Sequence, residues 1–163
     1  MFWLRFDVGA GLSTVWWGRI EACFLCEMPK ENDMAKPEPN LNEWLAEAKA
    51  CEGADKCGMF LVHNGVVRAT AKAQVREGRE MPPVARVDFS YDAAGLEAAV
   101  AEALTWDGVQ YVRVWLNEGE LEVGDSIMYV LVGADIRPRC IDALQRLVGH
   151  IKNDLVVERE VYA

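Results

Sequence analysis

Residues 117–159 read NEGELEVGDSIMYVLVGADIRPRCIDALQRLVGHIKNDLVVER, and this stretch decides the fold. A turn at Glu118-Gly119-Glu120 leads to an apolar run over residues 127–132, short and β-branched enough for a buried strand. A short loop carrying Arg137 follows, with Asp135 a candidate helix cap and Pro138 suited to a first helical turn. Ile141, Leu144, Val148 and Ile151 then recur at three- and four-residue spacing, which predicts an amphipathic helix running to Lys152.

Outward from this stretch the pattern stays regular. Residues 84–91 alternate, with Val84, Arg86 and Asp88 against Ala85, Val87 and Phe89, and residues 109–116 form another strand. Residues 92–104 (DAAGLEAAVAEAL) place Leu96, Val100 and Leu104 on one side of a helix despite Gly95. Residues 59–67 read as a strand with a bulge at His63-Asn64-Gly65. Before it, Asn40 caps a helix carrying Leu41, Trp44, Leu45 and Ala48, with Glu43 completing a capping box. Residues 68–83, basic at Lys72, Arg76 and Arg79 and closed by Pro82-Pro83, read as a loop or a hairpin with a mobile tip. Residues 155–162 are a last extended segment. The sum is an α+β fold with helices packed on one face of a mixed sheet.

A chain of 163 residues with 52% hydrophobic content has the core of one domain. Its net charge of −9 argues against nucleic acid or an anionic membrane as the main partner. A local basic pocket remains compatible with that, because net charge is screened beyond about 8–10 Å. No apolar run approaches the roughly 18 residues needed to span a bilayer. The opening MFWLRFDVGAGL carries Arg5 and Asp7 within its apolar stretch, unlike a secretory leader. The five cysteines, Cys23, Cys26, Cys51, Cys57 and Cys140, are an odd set that predicts unpaired thiols in a reducing cytoplasm. Cys23-x-x-Cys26 has no second pair or histidine cluster to complete a zinc site, so neither metal nor cofactor is expected.

Residues 1–33 differ from the rest, holding three of the six tryptophans (Trp3, Trp16, Trp17) without a sustained period. They read either as an appendage packing its aromatics on the body or as an extension ahead of the natural start at Met34. The second is the expectation, with a single domain over residues 34–163.

Among residues with chemistry, Lys152 stands first. At about 100° per residue it lies about 40° from Val148 and about 20° from Ile141, at the edge of the apolar stripe. An amine there loses hydration, which favours a neutral nucleophile, whereas the helix C-terminus favours ammonium. The plainer alternative is a snorkelling lysine whose stem covers core. Arg137 has a planar fork suited to phosphate at a helix start, or is a surface arginine. On one helix the two would lie about 22 Å apart at about 1.5 Å per residue. If both serve one small substrate, a second subunit supplies one of them, which predicts a dimer. Arg68 ends the strand over residues 59–67, where binding residues often sit. His63 reads as a packed strand-face histidine and His150 as solvated.

Together these features resemble the catalytic, large subunit of molybdopterin synthase over roughly residues 40–160. The family's Gly-x-Val-Arg strand end appears as Gly65-Val66-Val67-Arg68, and its Gly-Glu-Leu and Gly-Asp turn as Gly119-Glu120-Leu121 and Gly124-Asp125. Its active-site lysine at the helix end aligns with Lys152. The resemblance implies an α/β-hammerhead-like fold with a mixed, mostly antiparallel sheet. It also implies sulfur transfer from the C-terminal Gly-Gly thiocarboxylate of a small ubiquitin-like carrier to a cyclic pyranopterin monophosphate, forming molybdopterin. The implied assembly is a homodimer within a heterotetramer, with Lys152 catalytic and Arg68, Arg137 and Arg159 binding substrate. There are departures. The family's histidine before Arg137 is Ile136, and a His-Arg pair is Leu116-Asn117. The second lysine aligns with Arg159 without a gap, or with Glu158 if one residue is deleted. The alternative function is therefore a catalytically impaired homologue acting as a dimeric binding or regulatory module.

Overall fold

A computed structural model describes residues 36–163. Cys23, Cys26, the N-terminal tryptophans and the expected start at Met34 lie outside the described residues. The elements run α1 (Leu41–Ala50), β1 (Met59–Val66), α2 (Lys72–Glu77), β2 (Val84–Tyr91), α3 (Ala93–Ala103) and β3 (Val109–Leu116). They continue with β4 (Gly119–Glu122), β5 (Ser126–Ala134), α4 (Arg137–His150), a π-helical turn (Ile151–Leu155) and β6 (Val156–Tyr162). Among the described residues two three-stranded sheets form, ordered β1-β5-β3 and β4-β2-β6, with antiparallel neighbours throughout. The α+β class is as the sequence predicts.

Strand β5 is buried along its whole length because both faces of its sheet are covered. Side chains alternate along a strand, so Met128, Val130 and Val132 join the core built with α3 and α4, while Tyr129 and Leu131 face Trp44 and Ala48 of α1. The second sheet adds Val84, Val87 and Phe89 to the α3–α4 core. Each such fully buried aliphatic side chain contributes about 1.5–3 kcal/mol of transfer free energy.

Local chemistry sets the element ends. The Asn40 side chain accepts from the Asn42 and Glu43 amides, and its Nδ2 donates to Glu43 Oε1 at 2.9 Å. The capping box is thus closed through the Asn40 amide group. The expected bulge in β1 falls between Gly65 and Val66. In β5, Gly133 sits opposite Phe60 on one side and Tyr111 on the other. Those rings meet edge-on with centroids 6.5 Å apart, and a Cβ on Gly133 would lie 2.6 Å from the Phe60 ring. Glycine is needed here for that close approach.

Four local expectations are corrected. The segment over residues 68–83 contains α2, whose first amide is held by the Glu160 carboxylate of β6 at 2.8 Å. Such a short helix depends on tertiary contacts and has no readable period. Strand β4 lies where a turn was read; Leu121 is its one buried residue, so alternation is invisible. Asp135 does not cap α4, because Ile136 takes the cap position. Asp135 instead accepts the Ile136 amide at 2.7 Å and pairs with Arg139. Finally, Ile141 is 38% exposed. The buried stripe of α4 runs through Cys140, Ala143 and Leu147 to Ile151, with small residues letting the helix lie close to β5.

Candidate active site at the end of helix α4

The π-helical turn over Ile151–Leu155 widens the end of α4 and breaks the 100° progression on which Lys152 was placed. Ile151 is fully buried and anchors the turn, while the Lys152 side chain is 39% exposed. Lys152 therefore rises from the rim of the core, paired with Glu158 of β6 and near enough to His63 of β1 for its charge to act there.

Strand β6 supplies its partner. Glu158 sits opposite Phe89 of β2, on the inner face shared with Val156 and Glu160. Its side chain is 20% exposed, and Oε1 lies 3.4 Å from Lys152 Nζ. That oxygen is screened from solvent and, among the described residues, accepts no hydrogen bond, so the contact is an ion pair with oblique geometry. The other oxygen, Oε2, is 3.8 Å from Lys72 Nζ of α2. One carboxylate is thus shared between two ammonium groups.

Strand β1 supplies His63. Its Nε2 is buried and, among the described residues, has no hydrogen-bond partner. Burial pushes the imidazole below its ordinary range, and the positive charge of Lys152 pushes in the same direction. A neutral ring with a free nitrogen can accept a proton or a hydrogen bond from a group entering beside Lys152.

The structure also places the three expected arginines. Arg68 follows β1, is exposed, and donates through Nε to the Thr70 carbonyl at 3.0 Å. The neighbouring Val67 amide bonds to the Asp125 carbonyl at 2.9 Å, which fixes this corner against the β4–β5 turn. Arg137 is the first residue of α4 and exposed, at the far end of the helix from Lys152. Arg159 pairs in register with Asp88. As the strand neighbour of Glu158, it points to the opposite, outer face of its sheet. Neither the hollow lined by Gln74, Glu80, Met81 and Pro82 nor the one lined by Glu102, Trp106, Arg146 and His150 includes these residues. His150 is exposed and paired with Asp154 at 2.8 Å.

A family model described as MoaE protein matches residues 38–154. The chain belongs to this family. Solved structures of similar fold include molybdopterin cofactor biosynthesis protein E from Burkholderia multivorans ATCC 17616, at 23% identity and a TM-score of 0.57. That match covers 83% of this chain and 95% of the other. The molybdopterin biosynthesis MoaE protein from Burkholderia ambifaria MC40-6 shares 22% identity with a TM-score of 0.58, over 78% and 85% of the two chains. A complex of subunits 1 and 2 of molybdopterin-converting factor from Helicobacter pylori 26695 matches at 19% identity, over 76% and 80%, with a TM-score of 0.53. No match to a curated protein sequence reaches significance.

Within this MoaE-family fold, the structure sets Lys152 beside Glu158 and His63, which the sequence alone does not bring together. Glu158 was legible: residues 156, 158 and 160 share a strand face by two-residue alternation. Lys72 was hidden in a helix too short to recognise. His63 was seen as a strand-face residue, and nothing in one sequence says that its ring nitrogen lacks a partner.

Proposed function

We propose that this protein acts in molybdenum cofactor biosynthesis as the large subunit of a molybdopterin synthase. In this reading it transfers sulfur from a carrier-protein thiocarboxylate to a cyclic pyranopterin monophosphate. The observation that carries the reading is the half-exposed Lys152 amine paired with Glu158, whose other oxygen faces Lys72, with neutral His63 nearby. Membership of the MoaE family and the two-subunit complex of the Helicobacter pylori relative support it.

In this reading a Gly-Gly tail reaches Lys152 in extended form. Fixed cations there stabilise the negative charge that develops as the acyl–sulfur bond breaks, an effect commonly worth about 3–4 kcal/mol per donor. Arg68 and Arg137 hold the pterin phosphate through bidentate contacts. Arg137 comes from a second copy of the chain, since α4 separates it from Lys152. Arg159 lies on the outer face of β6 and would act only across a subunit contact. The thiol chemistry fits a reducing, cytoplasmic setting.

A second reading has its own observation. Glu158 occupies Lys152 with a carboxylate, and Ile136 offers no exchangeable proton at the helix start. Both favour an impaired homologue that binds the carrier without turnover. Purified carrier thiocarboxylate and pterin precursor separate the two: molybdopterin formation supports the synthase. Carrier binding with no product supports the binding module.

A further inference from the structure

We propose that residues 36–39 form a strap that closes the seam between the two sheets, held in an ammonium site that the chain's own Lys36 fills. This role goes beyond the reaction read above and holds whether or not the chain turns over.

Lys36, Pro37, Glu38 and Pro39 precede α1 and belong to no helix or strand. Proline at every second place keeps the segment out of helix, and in an extended chain residues two apart share a side. That side carries one cation and one anion, and both reach groups far along the sequence. Lys36 Nζ donates to the Leu116 carbonyl, at the end of β3, at 3.2 Å and to the Tyr91 hydroxyl of β2 at 3.4 Å. The same nitrogen lies 5.6 Å from the centroid of the Tyr91 ring and 5.9 Å from that of Trp115. Two aromatic rings and a carbonyl oxygen suit an ammonium ion. Strand β2 lies in one sheet and β3 in the other, so this one side chain spans the seam.

Glu38 is the second anchor. Its Oε2 accepts from the Tyr129 hydroxyl at 3.0 Å. Tyr129 has one proton to donate, so Ser126 Oγ, 2.9 Å away, donates to Tyr129, and Asn64 Nδ2 donates to Ser126 at 3.5 Å. A donor chain through buried Ser126 and Tyr129 thus ends on the strap. The Tyr129 ring also packs on Trp115 with centroids 5.7 Å apart, so the second anchor braces a wall of the first. Tyr91 is the last residue of β2, and the next amide, that of Asp92, donates to the Leu155 carbonyl at 2.8 Å. Leu155 ends the π-helical turn that carries Lys152. On the other sheet, the peptide unit whose carbonyl receives Lys36 also carries the Asn117 amide, bonded to the Ile127 carbonyl at 2.9 Å. Release of the strap therefore frees one amide on each side of the seam, and the β2 side leads to the turn of Lys152.

Amide hydrogen exchange of the full chain, read residue by residue by NMR, tests this without turnover. Lys36→Met keeps the apolar stem and removes the charge. Exchange at Asp92 and at Asn117 should rise about five- to tenfold, the scale of one cation–ring contact with its hydrogen bond. Val132, fully buried in the central strand β5, reports global opening and should change by less than about twofold. Lys36→Arg keeps charge and donors and should hold both seam amides within about twofold of wild type. Glu38→Ala removes the second anchor, should speed the same two amides, and carries the test if Lys36→Met does not fold. Acceleration at Val132 equal to that at the seam would mean a loss of overall stability and overturns the proposal. So does an unchanged Asp92 or Asn117 in Lys36→Met, which would leave no bridge between the sheets. Exchange in Lys36→Arg as fast as in Lys36→Met would overturn the ammonium site.

Discussion

Arg137 opens helix α4 and Lys152 lies in the π-helical turn that closes it, so one chain holds them apart by the length of the helix. At about 1.5 Å per residue the separation is about 22 Å, too far for one small substrate. If both groups serve the same reaction, each active site draws on two copies of the chain.

Mixing inactive variants tests this. Arg137→Ala and Lys152→Ala subunits, unfolded and reassembled together, should regain about a quarter of wild-type activity, because half the dimers are hybrids with one intact site. No recovery, with hybrid dimers verified by native mass spectrometry, contradicts a shared site.

The contact between Phe60 and Tyr111 over Gly133 predicts a stability effect remote from the chemistry. Gly133→Ala puts a methyl against the Phe60 ring and the Cβ of Tyr111, an overpacking that costs about 1–3 kcal/mol. Chemical denaturation should show a lower midpoint with an unchanged slope. A midpoint equal to wild type means that the rings part freely, and that the two edge strands are not fixed by this contact.

His63 predicts a pH dependence. Its folded-state pKa lies below the ordinary value of 6.5, so the unfolded chain binds the proton more readily. Its contribution to stability is present above pH 6.5 and is lost as the pH falls through the folded-state value. Wild type should therefore lose more stability than His63→Gln between about pH 7 and about pH 5. Parallel stability curves for the two proteins would show that the ring is not protonation-sensitive in this setting.

How much of this could be read from the chain differs by element. Strands β2 and β3 and the helices around Leu96 and Leu147 follow from periodicity, because each buries a whole face; the bulge expected at His63-Asn64-Gly65 falls at its end, between Gly65 and Val66. Helix α2 and strand β4 do not, since a single buried side chain in each, or next to it, leaves no period to detect. The place of Lys152 at the end of an apolar stripe is legible, but regular helical spacing misplaces its angle because the π-helical turn starts one residue earlier. The pairing of Lys152 with Glu158 joins a helix end to a strand six residues later. Two-residue alternation assigns the face of Glu158, and only the fold gives the distance. The use of Gly133 is also a cross-strand fact: register with both neighbours makes it necessary, and no local pattern announces that.

The most direct test of the central claim is single-turnover sulfur transfer, with carrier thiocarboxylate and pterin precursor mixed against wild-type protein and against Lys152→Ala. The account predicts molybdopterin from the wild type and a loss of about 100- to 1,000-fold in the variant, the scale for removing one fixed charge-stabilising donor. Equal rates in the two proteins, or no product from the wild type while carrier remains bound, would contradict it.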